Sequence, residues 1–181
     1  MEVKKRNRLL LLALAVLGMP FAVPERARVP VQGASSADWN KQSFWYEPWG
    51  ASGVHKGIDI FAPSGRPIVA PVYGTVIFRG RLRLGGNVIA VLGPKWRIHY
   101  FAHLRESHVH VLEFVAKGDV VGTVGTSGNA AGKAPHLHYA ILQLIPRVWQ
   151  VTRQAQGWKR MFFVDPGAVI SQGAAGLTSR S

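Results

Sequence analysis

The stretch Ala134-Pro135-His136-Leu137-His138-Tyr139 decides how the chain is to be read. Two histidines stand two residues apart, and Leu137, Tyr139 and Ile141 alternate with them. That alternation belongs to a strand rather than a helix. On a strand, residues i and i+2 share a face and lie about 6.6–6.8 Å apart. His136 and His138 are therefore expected side by side, one able to hold a metal and the other to meet a substrate or a water beside it. A buried apolar strand has no structural use for such a pair, so the missing ligands must come from elsewhere in the chain.

The first source is His55-Lys56-Gly57-Ile58-Asp59. On a helix, positions i and i+4 would share a face. Here Gly53 and Gly57 oppose a helix, and Ile58 and Ile60 alternate around Asp59, so the pair is expected on a turn feeding a strand. Adding His138 makes two neutral imidazoles and one carboxylate. Three protein ligands with a fourth position left for water is the pattern of a catalytic zinc site, whereas a closed structural site has four. The donor types suit zinc better than calcium or magnesium, which prefer oxygen.

Zinc-assisted hydrolysis needs a base to take the water's proton and a donor to stabilise an oxyanion. His103, in Tyr100-Phe101-Ala102-His103-Leu104, and His136 are the candidates. Three further histidines are expected at the solvated surface. His108-Val109-His110 repeats the i, i+2 spacing, and His99 shares strand parity with His103.

From Gly57 onward short apolar stretches alternate with Gly/Pro turns. Residues 58–60, 67–70, 97–103, 111–115, 120–124 and 138–144 read as strands. Residues 75–84 and 87–92 flank Gly85-Gly86 as a hairpin. Helix signals are few, with one short helix expected around 103–107. The expected fold class is all-β, mostly antiparallel. Residues 38–50 are dense in aromatics (Trp39, Phe44, Trp45, Tyr46, Trp49), expected mainly as packing, with a groove wall as the alternative use. Residues 24–39, rich in Pro, Ser and Ala, are expected to be a linker into a domain at 40–167. Residues 168–181 form a tail that frays from Gly173.

Lys4, Lys5, Arg6 and Arg8 precede a nearly unbroken apolar run over 9–23, the pattern of a secretory signal. The run is shorter than the roughly 20 residues of a full span. Residues 1–23 are expected to act as a signal peptide or signal anchor, with the basic end left cytoplasmic and the domain exported. The 181-residue chain is 48% hydrophobic and 17% charged, which excludes a disordered protein. It has no cysteine, so disulfides and thiolate metal sites are excluded. Formal net charge is +13, and over 40–167 fifteen Lys/Arg face six Asp/Glu. Such a surface attracts polyanions: nucleic acid, anionic lipid or an acidic cell-wall polymer. The export signal and the metal set argue against nucleic acid.

Four pieces stand in order: His-Lys-Gly-Ile-Asp-Ile at 55–60, Phe101-Ala102-His103-Leu104, the Gly-rich run from Gly122 to Asn129, and Pro135-His136-Leu137-His138. Their order and spacing over about residues 50–167, closed by Val164-Asp165-Pro166, resemble the lysostaphin/LytM-type zinc metallopeptidases. The resemblance implies a compact antiparallel β domain with one zinc ion in a groove on the sheet. It implies His55, Asp59 and His138 as zinc ligands, with His103 and His136 as the catalytic pair. It further implies a zinc-activated water that hydrolyses peptide bonds of bacterial peptidoglycan, in the cross-bridge or stem peptide. The implied location is the cell envelope, periplasm or exterior, with membrane contact only through the N-terminal segment where that is retained. Some members of the family have lost zinc ligands and act as binding proteins that switch on cell-wall amidases. That alternative predicts substitutions at the metal positions, whereas all five residues are present here.

Overall fold

The computed structural model describes residues 2–178. Its centre is one antiparallel sheet of β1 (Ile58–Phe61), β2 (Pro67–Val69), β3 (Gly74–Leu82), β4 (Gly86–Gly93), β5 (Arg97–Ser107), β6 (Phe114–Val115), β7 (Val120–Val124), β8 (His136–Gln143) and β9 (Phe163–Val164). The main path runs β1-β8-β5-β4-β3-β6; β7 pairs with β5 and carries β2, and β9 pairs with β8. The all-β antiparallel expectation is met, and the β3–β4 hairpin turns at the anticipated glycines, with Leu82 opposite Gly86.

The two faces follow from side-chain alternation. Leu137, Tyr139 and Ile141 of β8 are fully buried, as are Ile58 and Ile60 of β1 and Phe101 of β5. They build the core on one face of the sheet. The intervening residues Asp59, His136, His138, Ala140 and Leu142 line a groove on the other face. One sheet therefore supplies both stability and site.

Four expectations change. The segment 103–107 is not a helix but the end of β5, interrupted by a bulge at His103. The strand expected over 111–115 shrinks to β6, because Leu112 takes a left-handed backbone (φ 70°) and Glu113 accepts a hydrogen bond from the His110 amide in a tight turn. The 24–39 segment has almost no regular structure yet is packed rather than loose. Ala27, Val31 and Trp39 are buried, and Val69 N–H donates to Pro30 O while Gln32 N–H donates to Pro67 O. It thereby covers the open edge of β2, which would otherwise present unpaired backbone groups. Last, α2 (Pro166–Thr178) continues through most of the supposed tail and buries Val169 and Ile170. Only 179–181 of that tail lie outside the described residues. The N-terminal apolar run is helical, within α1 (Glu2–Ala22).

Candidate metal centre and groove

The site begins with strand register. Asp59 of β1 lies directly opposite His138 of β8, where Cβ atoms of an antiparallel pair sit about 4.5–5.5 Å apart. Gly57 makes this approach feasible: a Cβ there would fall 2.4 Å from Tyr139 O and 3.0 Å from the His138 ring. His55 reaches the pair from the preceding turn. Two backbone hydrogen bonds hold it against the aromatic segment, Trp45 N–H to His55 O (2.7 Å) and His55 N–H to Tyr46 O (3.0 Å).

Three donor atoms converge. His55 Nε2 is 3.0 Å from Asp59 Oδ1 and 3.1 Å from His138 Nδ1, and His138 Nδ1 is 2.8 Å from Asp59 Oδ1. Tetrahedral ligands at the usual zinc bond lengths stand about 3.3 Å apart, so the trio needs only a slight expansion to accept an ion. His55 Nδ1 faces Ser43 O at 3.0 Å. A carbonyl only accepts, so Nδ1 carries the proton and Nε2 is left with its lone pair toward Asp59 and His138. The donor set thus fits a metal ion. Among the described residues it is a cluster of His55, Asp59 and His138 suited to one. Burial works against the Asp59 charge, but hydrogen bonds and charge interaction with His138 and His55 outweigh it. They hold the carboxyl well below the ordinary carboxylate range. Burial also lowers His138 from the usual imidazole value, with Asp59 opposing.

His103 and His136 flank the trio. Their rings meet edge to face at 5.0 Å, and His136 Nε2 is 4.0 Å from Asp59 Oδ2. Each is oriented as His55 is: His103 Nδ1–H donates to Ser127 O and His136 Nδ1–H to Ala134 O, both at 2.8 Å. Both keep Nε2 free. Burial pulls His103 down to about 4, against the Ser127 bond, so the ring is a neutral proton acceptor at neutral pH.

The position of His103 is made by backbone geometry. The register of β5 shifts against β4 between Asn87 and Ile89 and against β7 between Leu104 and Glu106. His103 itself sits at φ 65°, uncommon for a residue with a Cβ. The bulge breaks strand parity, so His103 lines the groove together with Tyr100 and Ala102. His99 obeys parity and points the other way. It is wholly buried in the core, where its Nδ1 shares a 2.6 Å hydrogen bond with the Tyr139 hydroxyl. The surface expectation for His99 is therefore corrected, while His108 and His110 are exposed as anticipated.

The groove has two lobes meeting at the histidines. One, of about 280 Å³, is walled by Trp49, Tyr100, Leu142 and Phe163; the other, of about 410 Å³, by Phe61, Asn129, Lys133 and His136. Trp49 and Asn129 border both. The aromatic segment divides its labour: Trp39 and Trp45 are buried, whereas the Trp49 ring stacks on His55 at 4.0 Å. Trp49, Asn129 and Ser127 are site residues that spacing arguments do not single out. Their only trace is membership of the aromatic and Gly-rich runs.

Comparison with known proteins agrees with this geometry. Residues 53–151, which hold the whole histidine–aspartate cluster, match peptidase family M23, and the chain belongs to that family. It is 38% identical over 113 residues to the L-Ala--D-Glu endopeptidase of Bacillus subtilis, covering 58% of this chain and 35% of that protein. It is 35% identical over 89 residues to the peptidoglycan DD-endopeptidase ShyC of Vibrio cholerae, covering 49% of this chain and 20% of that protein. Among solved structures, the catalytic domain of lysostaphin from Staphylococcus simulans superposes with a TM-score of 0.52 at 29% identity, over 55% of this chain and 76% of that one. The chain thus spans about a third or less of the length of these two curated relatives.

Proposed function

We propose that the chain is a zinc-dependent endopeptidase that hydrolyses peptide bonds of bacterial peptidoglycan, in the cross-bridge or the stem peptide. The observation that carries this reading is the convergence of His55 Nε2, Asp59 Oδ1 and His138 Nδ1 within 3.1 Å of one another, beside two histidines with a free Nε2. His55, Asp59 and His138 would hold one zinc ion. When bound, the metal supplies Lewis acidity, polarising a carbonyl and making water nucleophilic near neutral pH.

The remaining chemistry belongs to the chain. His103 and His136 divide two tasks: one, neutral, accepts the proton of the attacking water at Nε2, and the other, in its doubly protonated form, donates from Nε2 to the carbonyl oxygen as it becomes anionic. The accepted proton then passes to the leaving amine. The carbonyls of Ser127 and Ala134 hold Nδ1 as a protonated nitrogen in both rings and leave Nε2 to meet the substrate. The two-lobed groove suits an extended peptide, since Trp49 and Asn129 border both lobes. The relatives' printed names, L-Ala--D-Glu endopeptidase and peptidoglycan DD-endopeptidase, support the substrate class.

The basic cluster ahead of the apolar run supports an exported domain that works at the cell envelope. Among the described residues no helix is long and apolar enough to cross a membrane. Mass spectrometry of muropeptides tests the reading. The zinc-loaded chain is expected to release fragments with one new amino and one new carboxyl terminus, and His136→Ala to release none. Undigested muropeptides with the zinc-loaded chain would instead fit a binding protein.

A further inference from the structure

We infer that the segment 144–158, between β8 and β9, is a membrane-contact surface that seats the domain on an anionic bilayer. Six large apolar side chains project there into solvent: Leu144, Ile145, Val148, Trp149, Val151 and Trp158, with Trp149 77% and Trp158 57% exposed. Isolated exposed apolar residues are ordinary, but a cluster of this kind in one segment marks an interaction surface. The exposed tryptophans favour the bilayer interface, where an amphipathic indole sits between headgroups and acyl chains.

Charge selects the occupant. Between Asp119 and Asp165 the chain has no acidic residue, while Arg147, Arg153, Lys159 and Arg160 lie in or beside the segment. Apolar side chains interleaved with cations suit a layer of anionic headgroups over hydrocarbon. An acidic polymer alone would leave the apolar groups without a partner.

A second observation joins this surface to the N-terminal helix. Trp96 Nε1–H donates to Leu17 O of α1 at 2.9 Å, and Trp96 O accepts from Leu144 N–H at 3.1 Å. One turn thus links α1 to the start of the segment. The described large apolar side chains of α1 from Leu9 to Phe21 are all at least half exposed. A helix apolar on every side needs a nonaqueous surrounding. Leu17 is five residues from the helix end, about 7.5 Å along the axis, so the Trp96 contact lies near the terminal turns of α1. The apolar helix and the start of the apolar segment thus meet at the Trp96 turn. Leu142, two residues before Leu144, lines the catalytic groove, so the groove opens beside the membrane it is seated on.

The chain lacks cysteine, so Trp149→Cys in the full chain creates a unique site for an environment-sensitive fluorophore. Leu112→Cys, 80% exposed and on the turn before β6, is the control. With vesicles of phosphatidylcholine and phosphatidylglycerol, the label at 149 is expected to shift to the blue and to be quenched by spin-labelled lipid, while the label at 112 does neither. The double variant Arg147→Gln/Arg153→Gln should weaken partitioning into these vesicles by roughly an order of magnitude. Three results would overturn the inference: no shift at 149 in chains that co-sediment with vesicles, equal shifts at 149 and 112, or a shift at 149 that grows with protein concentration without lipid. Peptidoglycan hydrolysis by the same labelled chain reports separately on the peptidase reading.

Discussion

The ring of His103 and the carbonyl of Ser127 meet across 2.8 Å, and the left-handed backbone at His103 brings them together. Ser127 is in turn fixed where two glycines touch backbone to backbone. Gly128 (φ 69°) and Gly86 (φ 65°) leave no room for a Cβ between the 125–130 loop and the β3–β4 turn. The orientation of the His103 ring thus depends on a contact outside the groove.

Gly128→Ala tests that dependence. The new Cβ would fall 2.3 Å from the Gly86 nitrogen. Urea unfolding should show a loss of about 1–3 kcal/mol from the forced contact and the left-handed backbone. Turnover on peptidoglycan should fall by about a hundredfold, the cost of misplacing a catalytic group by about an ångström. Zinc binding should be unchanged, because no zinc ligand moves. Normal turnover in a folded variant would show that the Ser127 contact does not orient His103.

Trp49 covers His55 as Ser43 orients it, by stacking rather than by a hydrogen bond. Removing the ring with Trp49→Ala should weaken zinc binding by about 10–100-fold, the usual effect of losing an orienting partner of a metal ligand. Trp49→Phe should restore most of it. Competition against a chromogenic chelator measures both, and equal affinities for wild type and Trp49→Ala would refute the role.

His99 makes the fold acid-sensitive. Burial, reinforced by the nearby Arg97 charge, holds it down to about 3 in the folded chain, against 6.5 for a free imidazole. Between those values the unfolded chain binds the extra proton. The stability present above pH 6.5 is therefore lost as pH falls toward 3, at up to about 1.4 kcal/mol per pH unit. His99→Gln keeps an acceptor for the Tyr139 hydroxyl and takes up no proton. Its urea midpoint should decline less steeply than that of wild type between pH 6.5 and 4; parallel declines would assign the acid sensitivity elsewhere.

His99 and His103 mark how far the sequence is legible. Alternation around Asp59 and through His136-Leu137-His138-Tyr139 identifies two strands and the groove-facing Asp59, His136 and His138, and spacing to Asp59 adds His55. The same logic applied to β5 puts His99 and His103 on one face. It fails because a bulge needs one residue to adopt φ 65° against shifting registers on both sides, and nothing in the local pattern of Phe101-Ala102-His103-Leu104 announces it. Residues 24–39 read as a linker for a related reason. Their packing depends on Val31 bridging Ile68 far along the chain, with no period of its own. The helical end is hidden by its small residues; among its described residues Val169 and Ile170 join the core.

Zinc titration into the chelated full chain, with new amino termini counted during digestion of purified peptidoglycan, tests the central claim most directly. Turnover should rise in proportion to zinc and break at one equivalent per chain, with no break and no turnover in His138→Ala. Full turnover in the zinc-free chain, or none at one equivalent of bound zinc, would contradict the account.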